Sequence, residues 1–97
     1  MCLIGRSPNK HILFTYSRMS KENVINEIVG SIIREERLKR NLSQEKLAEY
    51  GDFERSYISK VENGERAIQV KTLIRFAKAL EMKPSDLVIE LEKRISF

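Results

Sequence analysis

The chain has 97 residues, 41% hydrophobic and 33% charged, enough for one packed domain and too few for a catalytic domain beside a binding one. No apolar run reaches the length of a membrane span, and the stretch His11 to Phe14 is too short for a signal core, so a cytoplasmic protein is expected. With Cys2 the only cysteine and His11 the only histidine, an intrachain disulfide and a Cys/His zinc site are excluded, and no metal or other cofactor is expected.

The net charge is +4, which suits a polyanionic partner. Its distribution weakens that argument. Arg6, Lys10, Arg18 and Lys21 against Glu22 place +3 of it in residues 1–22, and the remaining 75 residues hold 14 basic against 13 acidic side chains. A motif, not bulk charge, has to identify the partner.

Residues 1–20 form an N-terminal extension with Gly5, Pro8 and Asn9 followed by the β-leaning run Ile12 to Tyr16. This segment reads either as a basic tail, with Met19 a second candidate start, or as an extended arm whose short strand pairs with its twin or reaches along a partner. Ser20 offers a helix N-cap, with Asn23 where a full capping box has Glu. From Lys21 the pattern is helical. Val24, Ile25, Ile28, Val29, Ile32 and Ile33 recur at helical spacing in a first helix that closes near Arg40, with Asn41 as the left-handed residue after it.

A second helix opens at Ser43, whose S-x-x-K pattern supplies half a capping box, and turns Leu47 and Ala48 inward. A turn at Gly51-Asp52 leads to a third helix from about Glu54 to Asn63, with Ile58 and Val61 inward and Gly64 ending it. The fourth helix, about Gln69 to Glu81, is predicted to bury Val70, Leu73, Ile74, Ala77 and Leu80 along one stripe. Pro84 suits the first turn of a fifth helix carrying Leu87, Val88, Leu91 and Ile95.

Function concentrates in Ser43 to Gly64. Two helices cross sharply when small residues line the crossing and apolar residues anchor both sides. Ala48 and Gly51 are the small residues; Leu47, Phe53, Ile58 and Val61 are the anchors. Arg55, Ser56, Tyr57, Ser59 and Lys60 are then left for the outer face of the third helix. Such a face fits the major groove of double-stranded DNA, where residues at a helix's N-terminal end reach base edges. Arg55 can donate two hydrogen bonds to guanine, Ser56 can pair with several bases, and the Tyr57 ring can meet a thymine methyl. Packing at the helix edge is the other reading of Tyr57. Ser43 and Gln44 stand at a helix start with free backbone N–H groups, a phosphate-binding position, and Lys60, Asn63, Arg66 and Lys71 extend the candidate DNA-binding set.

Four stretches carry a family resemblance: Ile33-Arg-Glu-Glu-Arg37, Leu42-Ser-Gln-Glu-Lys-Leu-Ala48, Tyr57-Ile-Ser-Lys-Val-Glu-Asn-Gly64 and Leu73-Ile-Arg-Phe-Ala-Lys-Ala-Leu80. Residues from about Ile28 to Leu91 resemble the Cro and lambda-repressor type of helix-turn-helix domain (the XRE family). Within it, Arg55-Ser56-Tyr57-Ile58-Ser59 with Glu62 and Arg66 is similar to the controller proteins of restriction-modification systems. The resemblance implies that Arg55, Ser56 and Tyr57 read bases, that Arg66 lies at the DNA, and that Arg37 pairs with Glu62. It also implies a dimer interface formed by the last helices. Leu87, Leu91 and Ile95 read first of all as a core-facing side, but Val88, Ile89 and Phe97 widen the apolar arc beyond one contact face, and a dimer interface at Leu87, Val88, Leu91 and Ile95 is expected. Asp52 stands where the family has glycine and Gly51 where it has alanine; aspartate tolerates a left-handed backbone, so the turn is expected at a small penalty.

The expected fold is an all-α, five-helix lambda-repressor-like domain over residues 21–97 with an N-terminal extended arm at 1–20. The expected function is sequence-specific binding of double-stranded DNA by a homodimer on pseudo-palindromic sites, regulating transcription, with RNA polymerase as a further partner. No carboxylate pair, activated nucleophile or phosphate-cradling glycine loop argues for an enzyme. The alternative is an antitoxin or adaptor of the same fold that works through a protein partner, for which residues 1–20 are the candidate contact segment.

Overall fold

A computed structural model of the chain describes residues 21–95. It contains five helices: α1 Lys21–Lys39, α2 Gln44–Gly51, α3 Arg55–Glu62, α4 Val70–Ala79 and α5 Pro84–Arg94. Among the described residues there is no strand, and no helix is long and apolar enough to cross a membrane. The expected arm at residues 1–20, its Ser20 cap and Phe97 lie outside the described residues.

Helix α1 packs against α3 and α5, α2 against α3 and α4, and α4 against α5. Their shared interior holds Ile32, Ile33, Leu47, Ala48, Ile58, Val61, Phe76, Ala77, Ala79, Leu80 and Leu87, so each helix contributes at least one fully inward side chain. Burying such aliphatic and aromatic surface is the main favourable term holding five short helices that would not persist alone.

Four helices end in the same way. A residue just past each end donates its backbone N–H to the carbonyl five residues earlier: Leu42 to Arg37 O, Phe53 to Ala48 O, Glu65 to Lys60 O and Met82 to Ala77 O. The residue before it is left-handed each time, at Asn41 (φ 56°), Asp52 (φ 58°), Gly64 (φ 80°) and Glu81 (φ 57°). Such closures satisfy carbonyls that a helix end leaves open and turn the chain sharply enough for the next helix to pack back. Asn41, Asp52 and Gly64 were legible as left-handed positions; Glu81 was not, because glutamate carries no preference for that conformation.

The fourth helix departs from the expected stripe. Val70 and Ile74 are exposed, at 74% and 39%, whereas Phe76 is fully buried. The cause is the Phe76 ring, stacked on Phe53 at 4.3 Å between centroids, which turns the Leu73–Phe76–Ala77–Leu80 face inward. Leu87 is a second correction. Read both as core-facing and as part of a dimer face, it lies in the chain's own core at 2% exposure, while its neighbours Val88 and Ile89 are exposed.

Candidate nucleic-acid interface

The crossing of α2 and α3 is built from the residues that the helix spacing singles out. Ala48 is buried at the crossing, and a side chain on Gly51 would run into the Phe53 ring, with Phe53 Cδ2 only 2.6 Å from its Cβ. Ser43 Oγ accepts the Lys46 backbone N–H at 3.0 Å, and Ser43 O takes that of Leu47. A seryl cap thus fixes where α2 begins. At the other end, Arg75 Nη2 donates to Gly51 O at 2.9 Å and Asp52 O at 2.6 Å, with its guanidinium 4.3 Å above the Phe53 ring. A cation at a helix C-terminus and over an aromatic face stabilises this turn twice. Sequence reasoning missed Arg75, since a basic residue on an exposed helix carries no signal of what it reaches.

Helix α3 is then held with one side out. Arg55, Ser56 and Lys60 are exposed and Tyr57 and Ser59 are half-buried, while Ile58 and Val61 are in the core. Asn63, Arg66 and Lys71 are exposed beyond its end, and Ser43 is exposed at the start of α2. Tyr57 packs at the helix edge, with its ring 5.7 Å from that of Phe53, and part of it stays at the surface. Beside it a shallow cleft of about 400 Å³ is lined by Asp52, Phe53, Glu54, Tyr57, Thr72 and Arg75.

Behind this face runs a chain of hydrogen bonds. Arg37 Nε and Nη2 donate to Glu62 Oε2 and Oε1 at 2.7 and 3.0 Å, and Arg37 Nη1 donates to Leu42 O at 2.8 Å. The same Glu62 Oε1 accepts from Gln44 Nε2 at 3.0 Å, and Gln44 Oε1 accepts from Arg55 Nη1 at 2.9 Å. The Arg37–Glu62 pair matches the expectation. The side chain of Gln44, expected as a phosphate clamp, has its partners within the protein.

Close approach at Gly30 sets how α1 meets α3. A Cβ there would collide with Val61 O and lie 2.9 Å from Glu62 O, so only glycine lets the two backbones touch where Glu62 receives Arg37. No sequence signal distinguished Gly30 from a tolerated helix glycine.

Away from α3, Arg94 ties the end of α5 to α1 by donating to Glu35 Oε1 at 2.8 Å, and its bond and charge hold the Glu35 carboxyl below the usual carboxylate range. Burial would raise Glu36, but bonds from Arg40 at 2.7 Å and Lys39 at 3.2 Å outweigh it and lower its pKa. Beside this clamp, Val88, Leu91, Glu92 and Ile95 line an open apolar depression on α5.

A family model described as "Helix-turn-helix" matches residues 33–87, more than half of the chain and the whole of α2, the turn and α3. The chain belongs to the helix-turn-helix family. Its XRE-type relatives include control protein C.BamHI of Bacillus amyloliquefaciens, 42% identical over 67 residues that cover 68% of this chain and 83% of that protein. Control protein C.SmaI of Serratia marcescens is 48% identical over 56 residues, covering 58% and 67%. Among solved structures, the restriction-modification controller protein C.AhdI from Aeromonas hydrophila superposes with a TM-score of 0.62 at 35% identity, over 64% of this chain and 94% of that one. The controller protein C.Esp1396I, solved as a tetramer with its natural 35-base-pair operator, gives 0.67 at 30% identity over 71% and 91%. Within that family the chain is similar to the restriction-modification controller proteins.

Proposed function

We propose that the chain binds double-stranded DNA in a sequence-specific manner as a homodimer on pseudo-palindromic operator sites and so regulates transcription from them. The observation that carries this reading is the outer side of α3, where Arg55 and Ser56 stand exposed at the N-terminal end and Tyr57 beside them, on a helix whose other side is locked into the core. A helix presented end-first in this way enters the major groove with those residues at the base edges. Ser43, Ser59, Lys60, Asn63, Arg66 and Lys71 flank them and take the phosphate role, which fixes register without reading sequence.

The second copy docks through α5. Val88, Leu91 and Ile95 line an apolar depression that the single chain leaves open, and exposed Ile89 adjoins it. A two-fold dimer then sets two α3 helices about one DNA turn apart. Support comes from C.Esp1396I, described as a tetramer on its operator. On a promoter, in the cytoplasm, RNA polymerase is the partner whose access such a dimer controls, and no step of this role calls for catalysis by the chain.

Selection of bound sites from random duplex DNA tests the reading. Enrichment of a two-fold-related site is expected, with Arg55→Ala weakening it by about 1–3 kcal/mol and relaxing one base position per half-site. Lys60→Ala weakens all sequences alike and reduces the salt slope by about 1. No enrichment at moderate salt overturns the proposal.

A further inference from the structure

We infer that Arg75 is a positioning residue for the DNA-reading helix: by holding the two carbonyls of the turn, it keys the start of α3 to α4. The inference rests on α3 reading bases, as proposed above.

The turn rests on α4 at each of its residues. A Cβ on Gly51 would come within 3.3 Å of Ala79 Cβ, Asp52 O accepts from Arg75 at 2.6 Å, and the Phe53 ring stacks on Phe76 at 4.3 Å. The backbone bonds that close the turn run from Asp52 N–H to Glu49 O and from Phe53 N–H to Ala48 O. They leave the oxygens of Gly51 and Asp52 themselves to be satisfied, as carbonyls past a helix end must be. Helix α3 supplies no side-chain help of its own. Its N-cap Glu54 makes no capping bond, whereas Ser43 caps α2. The donors for the turn come from Arg75 instead.

A guanidinium suits this task. Nη2 donates to two successive carbonyls, at 2.9 and 2.6 Å, while the guanidinium carbon lies 4.3 Å from the centre of the Phe53 ring. A planar fork fixes direction as well as distance, which the rotating ammonium of a lysine does not. Asp52 and Glu54 line the same cleft, but Arg75 holds main-chain oxygens there, so what it fixes is backbone. Arg55 follows Asp52 by only three residues. A small rotation at the turn therefore moves Arg55, Ser56 and Tyr57 together, and side chains that recognise a ligand must be held to within about 0.5 Å. Lys71, one turn before Arg75 on α4, belongs to the phosphate set proposed above. The helix that grips the DNA backbone thus also sets the turn from which the bases are read.

The full chain and its Arg75→Met and Arg75→Lys variants are tested by titration against the site that the parent selects, its single-base-pair variants and an unrelated duplex, below the melting transition of all three proteins. Methionine keeps an unbranched stem over Phe53 and donates nothing; lysine keeps the charge and loses the fork. Both variants are expected to bind the selected site about three- to tenfold more weakly, with the affinity and salt slope for the unrelated duplex unchanged. Discrimination falls at every base pair read from the start of α3, not at one alone. In nitrogen–proton correlation spectra of the free protein, their amide shifts change at residues 51–57 and not along α5. A loss that is equal on all duplexes, lowers the salt slope by about 1 and is restored by lysine overturns the inference in favour of a phosphate contact. Parental discrimination in both variants, whatever their Tm, overturns it in favour of a merely stabilising latch. If the parent selects no sequence at all, the base-reading role of α3 falls and this inference with it, an outcome that the parent shows on its own.

Discussion

Arg37 and Glu62 meet through two parallel bonds, Nε to Oε2 at 2.7 Å and Nη2 to Oε1 at 3.0 Å, with side chains only 10% and 3% exposed. They are 25 residues apart in sequence and join α1 to the last residue of α3. Removing one partner leaves the other charge buried without compensation, which is costlier than the pair is favourable. Glu62→Ala is therefore expected to destabilise the fold by about 3 kcal/mol, a fall in Tm on the order of 10 °C or more for a domain this small. Thermal melting followed by circular dichroism checks it, and an unchanged Tm removes the pair from the account of stability.

Gly30→Ala separates helix propensity from packing. Alanine is the better helix former by about 1 kcal/mol, so in an exposed helix the change would stabilise. Here the new methyl group meets Val61 O and Glu62 O, which are backbone atoms and cannot swing aside. Moving α3 away from α1 is the only relief, and overpacking of this kind costs about 1–3 kcal/mol. The expected result is a lower Tm despite the better propensity; a higher one would mean that α1 and α3 do not approach so closely.

The two variants mark where sequence reading succeeds and where it stops. Leu47, Ala48, Ile58 and Val61 were legible as inward residues because their spacing states which side of a helix is apolar, and all four are buried. Asn41, Asp52 and Gly64 were legible because few residue types adopt a left-handed backbone. Gly30, Arg75 and the true partners of Gln44 were not legible. Each depends on which backbone or side chain from a distant helix arrives beside it, and no local pattern encodes that. Val70 and Ile74 failed for a related reason: periodicity finds an apolar stripe but not how far a ring such as Phe76 rotates it, nor whether its edge meets the core.

Asp52 holds φ at 58°, in the turn that sets the angle between α2 and α3. Left-handed backbone costs a residue with a Cβ about 1–2 kcal/mol, while glycine gives back about 0.5–1 kcal/mol through its more disordered unfolded chain. Asp52→Gly is expected to raise stability by about 0.5 kcal/mol net, and Asp52→Val to lower it by more than about 1 kcal/mol. Urea denaturation of the two variants checks the pair. Equal losses in both would mean that the aspartate side chain, not the backbone angle, stabilises the turn.

Acid lability follows from α1. Glu36 is lowered because its bonds to Arg40 and Lys39 outweigh the effect of burial, and Glu35 because of its bond to Arg94. A carboxyl lowered in the folded state stabilises the fold above its unfolded pKa, near pH 4–4.5, and that contribution disappears as pH falls through the lowered folded-state value. Melting temperature is therefore expected to hold from pH 7 to about 5 and to fall below that. Glu36→Gln should be less stable than the parent at pH 7 and should approach it by pH 3. Parallel curves over that range would show that Glu36 takes no part in the acid transition.

Neighbouring residues on α5 should respond in opposite ways to the same change. Leu87 is 2% exposed within the core, so Leu87→Asp places a charge where no partner waits and is expected to abolish folding, with even Leu87→Ala costing about 2–5 kcal/mol. Val88 and Ile89 are each 47% exposed in the single chain, and a charge there stays in water. Val88→Asp and Ile89→Asp should therefore keep their helical signal and a cooperative melt. If α5 forms the dimer face, both variants sediment as monomers at concentrations where the parent is dimeric, and their affinity for a full two-fold site falls toward that for a half-site. A parent that dimerises while both variants dimerise equally well would place the interface elsewhere, with exposed Val70 and Ile74 on α4 the next face to test.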